Sequence, residues 1–266
     1  MKIVYLIGAL VFSTGVFAQE ETKKSPSEES DTTRFNLKKM EVIVVSKNDT
    51  IDAGPKEPRR NNEAHWAGLD FGFNMMTDGS GSANFPGHKY WENDVAHSVY
   101  FNLNIAEKKL KIIQEYVGLT TGIGFNFNQF AFNNNYILMD SVDTIVGIIS
   151  PQEYSKNKLR AAYLQIPLML EFNTNKDNDK GVYIAAGVIG GVRLSSRIKR
   201  VGKIDGEQFK EKLEGTYALN PFKLDLTARV GYGDFGAFVN YSALPLFNTN
   251  KTTEVYPLTF GVSFDF

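Results

Sequence analysis

The sequence predicts an all-β protein, an eight-stranded antiparallel up-and-down transmembrane β-barrel, and three observations carry that prediction. From Ala64 onward the chain repeats segments in which apolar and polar or glycine residues alternate. Successive side chains of a strand point to opposite faces, so each such segment reads as a strand with one apolar face. The connections between the segments alternate between long and short. The chain also ends on an aromatic residue that closes the most regular of these strands.

The strands follow in order. Leu69, Phe71, Phe73 and Met75 oppose Gly68, Asp70, Gly72 and Asn74. In the second, Val95, Val99, Phe101, Leu103 and Ile105 oppose Ser98, Tyr100, Asn102 and Asn104. The third sets Val117, Leu119, Thr121, Ile123, Phe125 and Phe127 against Gly118, Thr120, Gly122, Gly124, Asn126 and Asn128. The fourth sets Leu164, Ile166, Leu168, Leu170 and Phe172 against Tyr163, Gln165, Met169 and Glu171. The fifth runs through Val182, Ile184, Ala186 and Val188 opposite Tyr183, Ala185 and Gly187, with Arg193 further along the second face. The sixth opposes Phe222, Leu224, Leu226, Ala228 and Val230 to Lys223, Asp225, Thr227 and Arg229. A shorter seventh carries Phe235, Ala237, Val239 and Tyr241, and the eighth carries Tyr256, Leu258, Phe260, Val262, Phe264 and Phe266.

A soluble sandwich would also alternate, so the direction of the apolar face needs an argument. The less apolar face holds Asp70, Glu171, Arg193, Lys223, Asp225 and Arg229 beside many glycines. In an eight-stranded barrel that face fills a narrow lumen, where opposite charges pair and glycine relieves crowding. The long connections (77–94, 133–158 and 196–219) alternate with short ones (107–111, 174–180 and 231–234), and 244–254 is intermediate. Long loops on one side and short turns on the other are the pattern of outer-membrane barrels.

Composition narrows the function classes. The 266 residues include 29 basic and 30 acidic side chains and no cysteine. The near-neutral charge excludes the electrostatic footprint of a nucleic-acid binder. Without cysteine there is no disulfide framework, no Cys-ligated metal and no thiol catalysis. Residues 1–18 pair a short basic start at Lys2 with an apolar run and small residues at Val16 and Ala18, the pattern of a cleaved signal peptide. Residues 19–63 form a polar leader too poor in apolar residues to offset its ordering entropy, so it is expected to be mostly disordered. Within it, Met40 to Val45, a turn at 46–49 and Thr50-Ile51 read as a short strand or hairpin spanning 40–51. Residues 64–266 form the barrel domain, of the OmpA/OmpX-like size.

The chain resembles the outer-membrane β-barrel proteins of Bacteroidetes-type bacteria, often grouped as PorT-like. The resemblance rests on Thr33-Arg34-Phe35-Asn36-Leu37 and Met40-Glu41-Val42-Ile43-Val44 in the leader. It continues at Ala64-His65-Trp66-Ala67-Gly68-Leu69-Asp70, Tyr116 to Gly122 and Tyr163-Leu164-Gln165-Ile166-Pro167-Leu168. These are motifs of fold, and what they imply is a barrel in the cell outer membrane with its N-terminus in the periplasm. The name-giving member assists protein secretion, which sets that role beside the leading expectation of a structural or surface-interaction barrel.

No catalytic, cofactor or metal site is expected. The lumenal charges read as mutually satisfying pairs, with a proton or ion relay as the alternative. A rim enzyme would need a base oriented by a carboxylate, for which His88 or His97 with Asp78, Glu92 or Asp94 are the candidates, His65 being the third histidine. His97 shares the lipid-facing phase of its strand, and no nucleophile elbow or HExxH spacing accompanies these residues. Asp177-Asn178-Asp179-Lys180-Gly181 reads as a polar turn and lacks the ligands of a calcium loop. Trp66, Phe172, Tyr232, Phe264 and Phe266 are assigned to one aromatic girdle, and Phe127, Phe222, Tyr241 and Tyr256 to the other. Tyr90-Trp91, Phe130, Phe132, Tyr136 and Ile145 to Ile149 make the outer loops unusually apolar, either as a recognition surface or because the loops pack on one another. The partners expected are outer-membrane lipid, the barrel-assembly machinery through the C-terminal strand ending at Phe266, and a periplasmic or extracellular protein.

Overall fold

The computed structural model describes residues 31–37, 40–46, 64–133, 135–140, 144–175, 180–204 and 207–266. The signal segment, most of the leader and Asp177 to Asp179 lie outside the described residues. The chain divides into two units, 1–59 and 60–266. In the first, β1 (Asp31–Leu37) pairs antiparallel with β2 (Met40–Ser46). The expected strand at Met40 is present, but its partner is the segment before it; Thr50-Ile51 lies outside the described residues. Seven-residue pairing across residues 38–39 gives a full ladder that a two-residue partner cannot match.

In the second unit eight strands form a closed ring. They are β3 (Gly68–Thr77), β5 (Val99–Ile113), β6 (Val117–Phe132), β9 (Tyr154–Asn173), β10 (Val182–Ile204), β12 (Phe222–Tyr232), β13 (Phe235–Ser242) and β14 (Tyr256–Asp265). Each pairs antiparallel with the next, and β14 pairs with β3 from Tyr256↔Thr77 to Asp265↔Gly68, which closes the barrel. Closure leaves no edge in the ring. The eight alternating segments of the sequence therefore map onto the eight strands of the ring.

Among the described residues of this unit, four short strands lie outside the ring, all at the end that carries the long loops. They are β4 (Asn93–Asp94), a hairpin of β7 (Tyr136–Asp140) and β8 (Ile145–Ile149), and β11 (Glu207–Glu214). The last extends the outer half of β10. Ring strands of 8 to 11 residues, such as β3, β12, β13 and β14, suit a bilayer. By contrast β9 has 20 residues and β10 has 23, so both continue well beyond the apolar band. The connections read as loops at 133–158 and 196–219 are thus largely strand.

Two further boundaries differ from the sequence reading. The second strand begins at Val99, because Val95–His97 forms a 3-10 turn capped by the Asp94 side chain. It also runs on to Ile113, and the turn expected at 107–111 falls at 114–116. A register shift between Asn104 and Ala106 lets the strand continue, with Lys109 directed inward rather than into a solvated turn.

The outward face is apolar and open: Phe71, Phe73, Ile123, Ile166, Leu168, Ile184, Leu226 and Phe260 are all exposed. The inward face holds Asp70, Asn102, Asn126, Glu171, Arg229 and Asn240, all buried. Pro167 lies within β9, where a missing N–H would normally break a ladder. The β6–β9 pairing does skip from Thr121↔Leu168 to Gly124↔Gln165, and the Thr121 hydroxyl donates to the Pro167 carbonyl at 2.9 Å instead.

Candidate functional site

The lumen is filled in layers, beginning at the short-turn end. Residues Ala64 to Ala67 enter the barrel mouth ahead of β3. Their backbone N–H groups at Ala64, Trp66 and Ala67 donate to the Glu107 carboxylate at 3.2, 2.9 and 2.7 Å. The His65 ring is buried, lies 3.8 Å from the Tyr183 ring in a stacked pair, and bonds Glu171 through Nδ1 at 2.9 Å. Glu171 also receives the Lys109 ammonium at 2.9 Å and the Thr120 hydroxyl at 2.8 Å. This buried carboxylate is surrounded by donors, which is what its burial requires.

Trp66 forms the next layer, and here the girdle assignment is corrected. Its side chain is fully buried in the lumen, beneath the Arg229 guanidinium at 4.7 Å. The reason is its position before the strand, where the inserted segment is not bound to the strand's alternation. The other members of that girdle, Phe172, Tyr232, Phe264 and Phe266, are exposed on the outer face. Arg229 makes a two-pronged pair with Asp70, at 2.6 and 3.2 Å. Asn102 and Asn104 donate to the same Asp70 carboxylate.

Above this pair, Asn126 donates to Asn102 and Asn128 donates to Asn126. The Tyr100 hydroxyl accepts from both Asn102 and Asn240. Lys223 pairs with Asp225 at 2.8 Å, with its ammonium 5.3 Å from the Tyr100 ring and 5.7 Å from that of Tyr163. Within the sequence-derived lumenal set, Asp70 pairs with Arg229 and Asp225 with Lys223, while Glu171 takes Lys109 and His65 from outside that set, and Arg193 is a correction. Arg193 is only partly buried, and its guanidinium donates to the carbonyls of Thr216 and Leu219 in a long loop. It lies one residue beyond the end of the β10–β12 ladder at Val192↔Phe222, so it meets loop carbonyls rather than a lumenal acid.

At the long-loop end the packing becomes apolar. Met76, Phe85, Trp91, Phe130, Phe132, Leu138, Ile145, Leu159, Leu246 and Phe247 form one buried cluster. The Trp91 ring lies 4.3 Å from that of Phe247. Much of the apolar loop sequence is therefore consumed by the loops packing on one another. The outer side of the β7–β8 hairpin is the exception, with Met139, Val146 and Ile148 exposed.

The rim histidines occupy different settings. His88 Nδ1 lies 2.8 Å from the Tyr90 hydroxyl. His97 Nδ1 lies 2.6 Å from Asp94, and this hydrogen bond holds the Asp94 carboxyl below its usual value. The pair borders a cavity of about 490 Å³ with Tyr154, Lys156 and Lys158 on its wall. His97 sits in the 3-10 turn, which corrects its assignment to the lipid-facing phase of a strand. Among the described residues no hydroxyl group hydrogen-bonds to His97, and no cluster of three or more acidic or histidine ligands could hold a metal.

Sequence reasoning missed His65, Glu107 and Lys109 as lumenal groups. The glycines opposite them carry a signal: a Cβ on Gly118 would meet the Lys109 chain at 2.6 Å, and one on Gly122 would meet the Trp66 ring at 2.6 Å.

A closed eight-stranded barrel with a polar, filled lumen and a continuous apolar exterior defines an integral barrel protein of the outer-membrane type. A family model described as outer membrane protein beta-barrel domain matches residues 58–250, well over half of the chain. The chain belongs to that family, and the outer membrane is its place. No curated protein matches the chain.

Proposed function

We propose that this is a non-enzymatic outer-membrane barrel with a structural or surface-interaction role, its short turns and barrel termini in the periplasm and its long loops outside. The observation that carries the reading is the contrast between the two ends. The lumen is blocked by Trp66 and the Arg229–Asp70 pair, which argues against a diffusion pore. The long-loop end is consolidated by its own buried cluster into a fixed platform. Such a platform suits recognition, because binding residues held in place lose little entropy on contact.

Deleting the β7–β8 hairpin, residues 136–149, tests this. The barrel should still reach the outer membrane and shift its gel mobility on boiling, while cell-surface contacts that depend on this chain are lost. An unchanged surface phenotype would count against the reading.

A second reading is an accessory role in secretion or envelope assembly, in line with the PorT-like resemblance. It is favoured by the β1–β2 ladder in the separate N-terminal unit. A two-stranded sheet offers edges to which a periplasmic partner can add a strand. Removing residues 31–46 should then abolish export of particular secreted proteins with the envelope intact. A normal secreted-protein profile would exclude it.

A further inference from the structure

Where β9 and β10 leave the apolar band, their outward face changes character within one step. On β9 the outward positions Leu164 and Ala162 give way to Arg160, Lys158 and Lys156. On β10, Val192 and Leu194 give way to Ser195, Arg197 and Lys199. The register stacks these bases side by side, because directly paired residues of an antiparallel ladder share a face. Arg197 is paired with Arg160, while Lys199 lies between Lys158 and Lys212 of β11. Lys210 continues the patch beside Val201, and Glu214, opposite Arg197, is the one acid on this face of the three-stranded ladder.

Adjacent strands lie about 5 Å apart, so like charges at this spacing repel and cost stability. Among the described residues, no ion pair involves any of these bases. Arg160 is instead held by a neutral acceptor, the Gln129 side-chain oxygen Oε1, through Nε at 2.9 Å and a terminal nitrogen at 2.6 Å. That fixes the direction of the guanidinium and leaves its charge uncompensated. Lys158 donates to the His97 carbonyl, and the nearby Asp94 is occupied by the His97 ring.

A groove of about 300 Å³ joins this patch to the apolar band. Val99, Phe101 and Phe127 line one part of it, and Arg160 and Arg197 line another. An occupant must therefore be amphipathic, with an anionic end on the arginines and an apolar end against the phenylalanines.

We propose that the basic face of β9–β10–β11, with the groove beneath it, binds a phosphorylated lipid of the surrounding leaflet. Arginine forks match phosphate oxygens two at a time, and the lysine rungs supply further charge around them. The acyl chains continue down the Phe101–Phe127 wall into the bilayer. Continuity with the lipid-facing surface selects a membrane lipid over a soluble phosphate. The inference rests on the proposed orientation only for which leaflet supplies the lipid.

The test uses the full mature chain folded in neutral detergent. It is titrated with a bis-phosphorylated glucosamine lipid, the same lipid without phosphates, and inorganic phosphate, with bound ligand read by native mass spectrometry. The phosphorylated lipid should bind at least about tenfold more tightly than its dephosphorylated form. The Arg160→Gln/Arg197→Gln variant should lose about the same factor while retaining its boiling-dependent gel shift. If that variant fails to fold, Lys199→Gln/Lys212→Gln, on the outward rung, is read the same way and should also weaken binding. Equal binding of the two lipids, or undiminished binding by the folded variant, overturns the proposal. Inorganic phosphate binding as tightly as the lipid overturns the lipid as occupant. Separately, Lys210 should react with an impermeant amine reagent on intact cells. Labelling only after permeabilisation would refute the orientation while leaving the binding result to stand by itself.

Discussion

From the short turns to mid-barrel, most buried side chains are polar or charged, around a small apolar group of Trp66, Met169, Ala185 and Ile189, and many are fixed by partners on other strands. Above Met76 and Phe130 most are aromatic or aliphatic, with Asn93, Ser98 and Asn157 among them, and many come from loops. Both regions exclude water, but the first is bound to the strand period and the second is not. In the lumen every second residue must point inward, within walls whose outer faces are committed to lipid. Polar groups then bury safely only if donors and acceptors match, as Asp70 does with Arg229, Asn102 and Asn104. At the loop end the strands have left the bilayer band, and ordinary hydrophobic burial operates again.

The largest effect should come from breaking a lumenal pair. Asp70→Ala leaves the Arg229 guanidinium buried without its carboxylate, at a cost of about 3–5 kcal/mol. Urea titration of the barrel in lipid vesicles should show the midpoint falling, or the folded band vanishing. Asp70→Leu combined with Arg229→Met should restore most of the loss, because no charge is then stranded.

A comparable truncation in the cap should behave differently. Phe247→Ala removes the ring packed on Trp91, and the local cost is about 3 kcal/mol. Because these loops lie outside the ring, the expected readout is faster protease cleavage at the long-loop end with the barrel's gel shift retained. Simultaneous loss of the barrel would show that cap and ring unfold as one unit, and the comparison would fail.

A smaller effect is expected where the inserted segment meets the wall. A Cβ at Gly122 would overlap the Ala106 carbonyl oxygen and lie 2.6 Å from the Trp66 ring. Gly122→Ala should therefore cost about 1–3 kcal/mol through overpacking. A red shift of tryptophan emission would report displacement of Trp66 toward water. An unshifted spectrum with unchanged stability would mean that the wall yields there.

The difference between the two regions also explains what could be read from the sequence. Alternation from Leu69 to Phe266 gives the strands, their faces and most lumenal charges, because one physical period governs all of them. It fails at Trp66, His65 and Lys109, whose directions are set by an inserted segment and a register shift. It holds through Phe130 and Phe132, loop residues in the sequence reading that continue the inward phase of β6, and it is silent at Trp91 and Phe247, where burial comes from loops meeting in space. The candidate lipid site lies between these cases. Its bases are visible in the sequence, but their alignment into rungs depends on β10 pairing with β9 and β11 at once.

The smallest effect belongs to the rim, where Asp94 is half-buried and caps the turn before β5. Its carboxylate accepts from the His97 ring and from the His97 backbone N–H, and the ring's bond is the main cause of its lowered pKa. A carboxyl lowered in the folded state adds stability above its ordinary value near 3.8, and that contribution disappears as pH falls through the lowered value. Solvent screening keeps the contribution to a few tenths of a kcal/mol. Asp94→Asn should therefore speed hydrogen exchange of the His97 amide slightly at pH 7, with the barrel midpoint unchanged. The difference from the parent should vanish under acid conditions, where the parent's carboxyl is protonated too. A barrel midpoint that moved by a kcal/mol or more would tie this exposed turn to the ring far more tightly than its single cap suggests.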